Sequence, residues 1–239
     1  MSKLLPALLL TLALTGCTAG TNTTSTPITT TTTTTTTIPN LQSYADSTGT
    51  LATYTTAGSI DLTNPFFQPL GTNTRTCQTC HQLDQSMSIN ATKTAALFTS
   101  TNGADPLFNA IDGANCPTVA TGNAAGHSLI TGNGLIRVAV TLPATAQFTI
   151  TTLNDPYGCA TTLSSTGQQI VSVYRRPLPV SSLLFLSDVM WDTRESVSAL
   201  NSPLTCAQNL NTDLTAQMLS AIFTHEQGTA TPTTAQTNA

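Results

Sequence analysis

Charge is scarce in this chain. Seven Lys or Arg and eleven Asp or Glu make up only 8% of its 239 residues, so no basic face exists that could neutralise a run of phosphates. Nucleic acid is therefore excluded as a partner. Histidine is rarer still, with three residues, and cysteine numbers six. No apolar run approaches the roughly 20 residues that cross a bilayer as a helix. Nothing repeats internally apart from a threonine tract, and the length suits one ordinary domain with generous loops.

At the N-terminus, Lys3 precedes an apolar run to Leu14 and small residues before Cys17, the layout of an export signal. The "LTGC" of Leu14 to Cys17 is similar to a bacterial lipobox, which would place diacylglycerol on the Cys17 thiol. The alternative is an ordinary signal peptide with a chance cysteine. Thr18 does not suggest retention at an inner membrane, so the expected address is the periplasm or cell surface, anchored through the N-terminal lipid to the outer membrane. Nine threonines follow one another from Thr29 to Thr37 in an uncharged stretch that cannot repay its ordering entropy. We expect a signal over 1–16, a flexible tether over 17–40, a domain over 41–228 and a disordered tail over 229–239.

Within the domain, Asn90 can cap a helix over Ala91 to Ser100 that Asn102 and Gly103 stop. Gly134 to Leu153 is rich in Val, Ile and Thr and breaks at Pro143, which predicts a two-stranded hairpin, and Gln168 to Pro179 predicts a third strand. Leu214, Met218 and Ile222 line one face of a last helix over Thr212 to Gln227. The apolar knot Pro65, Phe66 and Phe67 can serve a flat ligand or the core alike.

The chemistry concentrates in "RTCQTCHQ", Arg75 to Gln82. Its C-x-x-C-H places the thiols of Cys77 and Cys80 about one helical turn apart, with the His81 imidazole directly after them. One covalently attached haem c needs this set: two thiols for the two vinyl groups and an axial imidazole. A redox dithiol would not require His81, and a zinc site would want two further ligands at short spacing, which do not follow. For the other face of the iron the available donors are His127, His225, Met87, Met190 and Met218. His127, in a Gly-rich polar loop, is favoured as the distal ligand, while His225 at a helix end can simply answer the helix dipole, and an open sixth position is the remaining option. A haem carries two propionates that need cations; Arg75 and Arg194 are the candidates, with Arg137, Arg175 and Arg176 the other arginines, the last two read as surface charge. Of the remaining cysteines, Cys116 and Cys159 lie in turn-rich segments and are expected to pair, leaving Cys206 over.

Taken together, "QPLGTNTRTCQTCHQLDQSMSI", "DPLFNAIDGANCP", "HSLITGNGLIRV", "DPYGCA", "VSVYRRPLP" and "VMWDTRES" resemble the N-terminal half of bacterial di-haem cytochrome c peroxidases and the methylamine-utilisation di-haem enzymes, from about Asn64 to Gln227. "WDTR", Trp191 to Arg194, is similar to that family's W-D-G-R signature, with Thr193 in place of a glycine. The resemblance implies a mainly α, cytochrome c-like haem domain with a β-hairpin and short-strand insertion, and it implies an electron-relay role for Trp191. His127 also falls between motif and signature as the family's distal histidine does. No second C-x-x-C-H follows, and the family's peroxidatic Gln and Glu have no match. The expected function is thus a mono-haem electron carrier that meets a redox partner protein, a second haem protein being one option, rather than a stand-alone peroxidase. Two alternatives stand beside it: a peroxidase-like domain completed by a partner's second haem, and a surface lipoprotein in which haem is structural.

Overall fold

Asn90 accepts the Lys93 amide on its side chain at 2.9 Å, and Asn102 and Gly103 leave the helix at φ of 50° and 71°, so capping chemistry fixes both ends of one helix as its sequence implied. The computed structural model describes residues 36–47, 49–159, 164, 166–196 and 206–228. Cys17, the signal and the 229–239 tail lie outside them. The described helices are α1 (Cys77–Cys80), α2 (Ala91–Thr101), α3 (Ser128–Asn133) and α4 (Cys206–His225). The strands are β1 (Thr37–Pro39), β2 (Tyr44–Asp46), β3 (Gly49–Leu51), β4 (Ser59–Asp61), β5 (Ile136–Thr141) and β6 (Ile170–Arg175).

The expected mainly α class is corrected by these elements: 31% of the chain is helical and 15% is strand, in several small antiparallel sheets. Only α2 and α4 run beyond two turns, because Gly, Pro, Asn and Thr punctuate the rest. β1 pairs with β4, β2 with β3, and β5 with β6. The strand β1 covers Thr37 to Pro39, so the end of the expected tether is paired backbone. The predicted hairpin is also corrected. Ile136 to Thr141 pairs with Arg175 to Ile170, the separately predicted strand, and not with the residues just beyond Pro143.

The core joins Ile89, Phe98, Leu107, Phe108, Ile130 and Ile136, with Cys80, Leu97 and Val138 packed against it. Burying each large side chain of this kind contributes about 1.5–3 kcal/mol. Phe98 and Phe108 meet edge-on with centroids 4.9 Å apart, the arrangement that ring quadrupoles favour. A disulfide joins Cys116 to Cys159, 43 residues apart in sequence, with Cα atoms at 5.5 Å. Among the described residues no helix is long and apolar enough to cross a membrane.

Candidate functional site

One turn of helix carries both thiols. The Thr76 amide donates to Thr79 Oγ1 at 3.0 Å, which satisfies a donor at the start of α1, and the His81 amide closes the turn onto the Cys77 carbonyl at 2.9 Å. Two short turns, Pro65–Phe67 and Pro106–Phe108, pack beside α1, so the apolar knot sits next to the motif. Cys80 faces the hydrophobic core, while Cys77 Sγ lies 3.5 Å from Glu226 Oε1.

The chain then doubles back to hold the imidazole. Gln82 and Ser88 bridge, and Ser86 and Met87 both take positive φ, 59° and 58°. Neither residue adopts that region cheaply, and the outcome is specific: the Met87 carbonyl lies 3.1 Å from His81 Nδ1. With Nδ1–H committed to a carbonyl, the other nitrogen is the one suited to a metal. Burial lowers the His81 pKa, opposed by the backbone carbonyls of Met87 and Leu178.

Both thiols are held protonated. Burial, reinforced by the Glu226 carboxylate, pushes Cys77 up to about 12. Burial also pushes Cys80 up to about 12, the Arg75 cation opposing it. A redox dithiol needs the opposite shift. Among the described residues no group of three or more His, Cys, Asp or Glu is placed to hold a metal ion by itself.

Sequence reasoning did not single out Glu226. The end of α4 delivers it, and the 70–74 loop receives it. Glu226 Oε2 accepts the Leu70 amide at 3.1 Å, its carbonyl accepts the Thr72 amide at 3.0 Å, and Asn73 donates to the His225 carbonyl at 2.8 Å. Only glycine fits at position 71, since a Cβ there would stand 1.8 Å from the Glu226 carbonyl oxygen.

Burial is also the main cause that raises the Glu226 carboxyl above its ordinary 4.5, against the Leu70 amide and the Cys77 thiol. A carboxyl raised on folding contributes most below its unfolded pKa and loses that contribution as pH rises through the folded value. In the thiol form, thermal stability relative to a Glu226→Gln variant is therefore expected to fall as pH climbs from about 4.5 towards neutrality. Melting both proteins across that range reads the effect, and parallel profiles would refute it.

Arg75 is not free for a propionate. It is 1% exposed, and each of its five donors has a partner: Nε on Pro106 O at 2.8 Å, Nη1 on Asp112 and on His225 O at 3.3 Å, and Nη2 on Leu107 O and Asn109 O at 3.0 and 3.3 Å. Asp112 completes the group by accepting from His225 Nδ1 at 2.6 Å, a contact the helix-dipole reading of His225 did not anticipate. Arg194 is exposed and grips its neighbour Asp192 through both carboxylate oxygens, at 2.8 and 2.7 Å. Trp191 beside it is 80% exposed.

The structure puts His127 in the core. It is buried against the Phe98 and Phe108 rings, with Nδ1 2.8 Å from Asn123 O and Nε2 3.0 Å from Phe108 O. With a carbonyl within hydrogen-bond distance of each nitrogen, this imidazole ties two loops together. A recess of about 190 Å³ between Asn73, Asp105 and Thr121 touches neither Cys77 nor His81.

The surface after β6 is unusual. Leu178, Leu184, Phe185, Leu186 and Trp191 all stand exposed, Phe185 at 89%, on the segment whose Leu178 carbonyl faces the His81 ring. No protein-family model, curated protein or solved structure matches the chain.

Proposed function

We propose that this chain is an exported, lipid-anchored protein that binds one covalent haem c at Cys77, Cys80 and His81 and passes single electrons to a redox partner protein. The observation that carries the reading is the pairing of a one-turn C-x-x-C helix with an imidazole whose Nδ1 is fixed by the Met87 carbonyl. The residues fit the group in two further respects. Protonated thiols suit addition to vinyl carbons and do not suit disulfide exchange. Leu178, whose carbonyl faces the His81 ring, is itself exposed and is followed in sequence by exposed Leu184, Phe185 and Leu186, apolar surface of the kind a porphyrin would cover.

Haem bound there supplies a one-electron ferric–ferrous couple. His81, its ring fixed through the Met87 carbonyl, would hold the iron, and the core around Cys80 would keep water from that side of the motif. Lipid on Cys17 would hold the protein at a membrane, and the Thr-rich stretch would give it reach. Expression in a host with a c-type haem attachment system tests the reading. The membrane fraction should show a reduced-minus-oxidised c-type α band; its absence from a folded, exported protein overturns the proposal.

A further inference from the structure

The haem reading raises a question of charge: with Arg75 fully committed and Arg194 exposed and paired with Asp192 through Nη1, which buried cation meets the propionates? Arg176 is spent on the carbonyls of Ile89 and Asn133, at 3.1 and 2.7 Å, and Lys93 on Asp84 at 3.0 Å. Two arginines keep an unmatched donor, for Arg137 Nη1 and Arg175 Nε are both buried without a hydrogen-bond partner. Buried N–H groups of a guanidinium are rarely left so, and an orphan of this kind marks a missing acceptor.

The sheet register separates the two. Residues directly opposite each other in an antiparallel pair share a face, and β5–β6 opposes Ile136 to Arg175 and Arg137 to Tyr174. Arg137 accordingly lies on the face where its Nε reaches Ser172 Oγ at 2.9 Å. Arg175 emerges with Ile136 and Val138, on the face that packs against the core cluster Cys80 joins. Three residues beyond Arg175 the chain reaches Leu178, whose carbonyl faces the His81 ring, and then the exposed apolar segment. Among the described residues no carboxylate forms an ion pair with Arg175.

We infer that Arg175 is the carboxylate-binding residue of this site and that its buried Nε–H takes a propionate of the porphyrin attached at Cys77 and Cys80. The inference rests on the haem reading above and refines it. A guanidinium in that position would neutralise the propionate and keep it ionised.

The test is a spectroelectrochemical titration of the full-length holoprotein between about pH 5 and 8, comparing wild type with Arg175→Gln. Without the cation the propionate should bind a proton roughly tenfold more tightly or more. Since the protonated form favours ferrous iron, the midpoint of the variant should fall more steeply with rising pH than that of wild type. Glu226, His225 and Asp112 are present in both proteins, so the difference between profiles isolates the propionate. Should Arg175→Gln fail to accumulate, Arg175→Lys keeps the charge and loses the Nε–H, and its holoprotein should show a shifted propionate bending band in resonance Raman spectra. Superimposable profiles, an unshifted band, or the same effect from Arg194→Gln instead would overturn the assignment while the c-type band still stands. A wild-type protein without that band fails the haem reading itself, a separate outcome.

Discussion

Arg75→Met is expected to lower the unfolding free energy by about 3–5 kcal/mol, a large part of the stability of an ordinary domain. The cause is what the substitution leaves behind. Asp112, 4% exposed, would keep only His225 as a side-chain partner, the Leu107 carbonyl would lose its Arg75 donor, and those of Pro106 and Asn109 would be left with the Asn109 and Gly113 amides alone. Arg75→Lys should recover little of this, because an ammonium has three donors where the fork supplies five. Urea unfolding of the full-length chain reads both variants, and a loss below about 1 kcal/mol for Arg75→Met would show that the cluster is not what fastens α4 to the motif. The same experiment separates two meanings of an arginine beside C-x-x-C-H. A propionate partner would change the redox behaviour of the holoprotein and spare the apoprotein, whereas the observed contacts make Arg75 a structural fastener for both.

That distinction also marks how far residues announced their own roles. The helix α2 was legible because its limits are local: Asn90 caps it and Asn102 with Gly103 ends it. The start of α4 was placed too late, at Thr212 in place of Cys206, since "CAQNLN" has no apolar stripe to declare a helix. β5 declared itself as a strand through its Val and Ile content, but pleat and propensity do not name a partner, and the true one begins 29 residues past the end of β5 at Ile170. Thr193, which stands where the resembled signature has a glycine, takes φ of 57°, a conformation glycine adopts without strain. The fate of Arg75 and His127 was not legible, because it depends on the carbonyls of Pro106, Leu107, Phe108 and Asn109, and a carbonyl is identical in every residue. Glu226 was missed for a related reason: it is the last acidic side chain of the chain, 149 positions from the thiol it meets. The nearest local signals were Gly71, which admits no side chain, and a helix end that stops beside it.

The Cys77→Ser and Cys80→Ser pair of changes should have the largest effect on the proposed chemistry, and a small one on folding. Both thiols are half-buried on a single turn, and serine keeps their size, so the double variant should melt within about 1–2 kcal/mol of wild type. Covalent haem should vanish altogether from a haem-stained denaturing gel, while each single change should leave one thioether and a weaker stain. The physical reason lies in the sulfur. Each Cys would add its S–H across a vinyl double bond, sulfur to one carbon and hydrogen to the next, so no oxidant would be needed. With both thiols held near 12, disulfide exchange is suppressed, which is why a dithiol oxidoreductase predicts the opposite result: no stain in the wild type, and a reductase activity that serine abolishes. Attachment also removes the proton that Cys77 gives to Glu226. The raised Glu226 carboxyl can then carry a proton of its own, so attachment should make Glu226→Gln better tolerated in the holoprotein than in the thiol form. Stain that persists in the double serine variant would end the assignment of these two sulfurs.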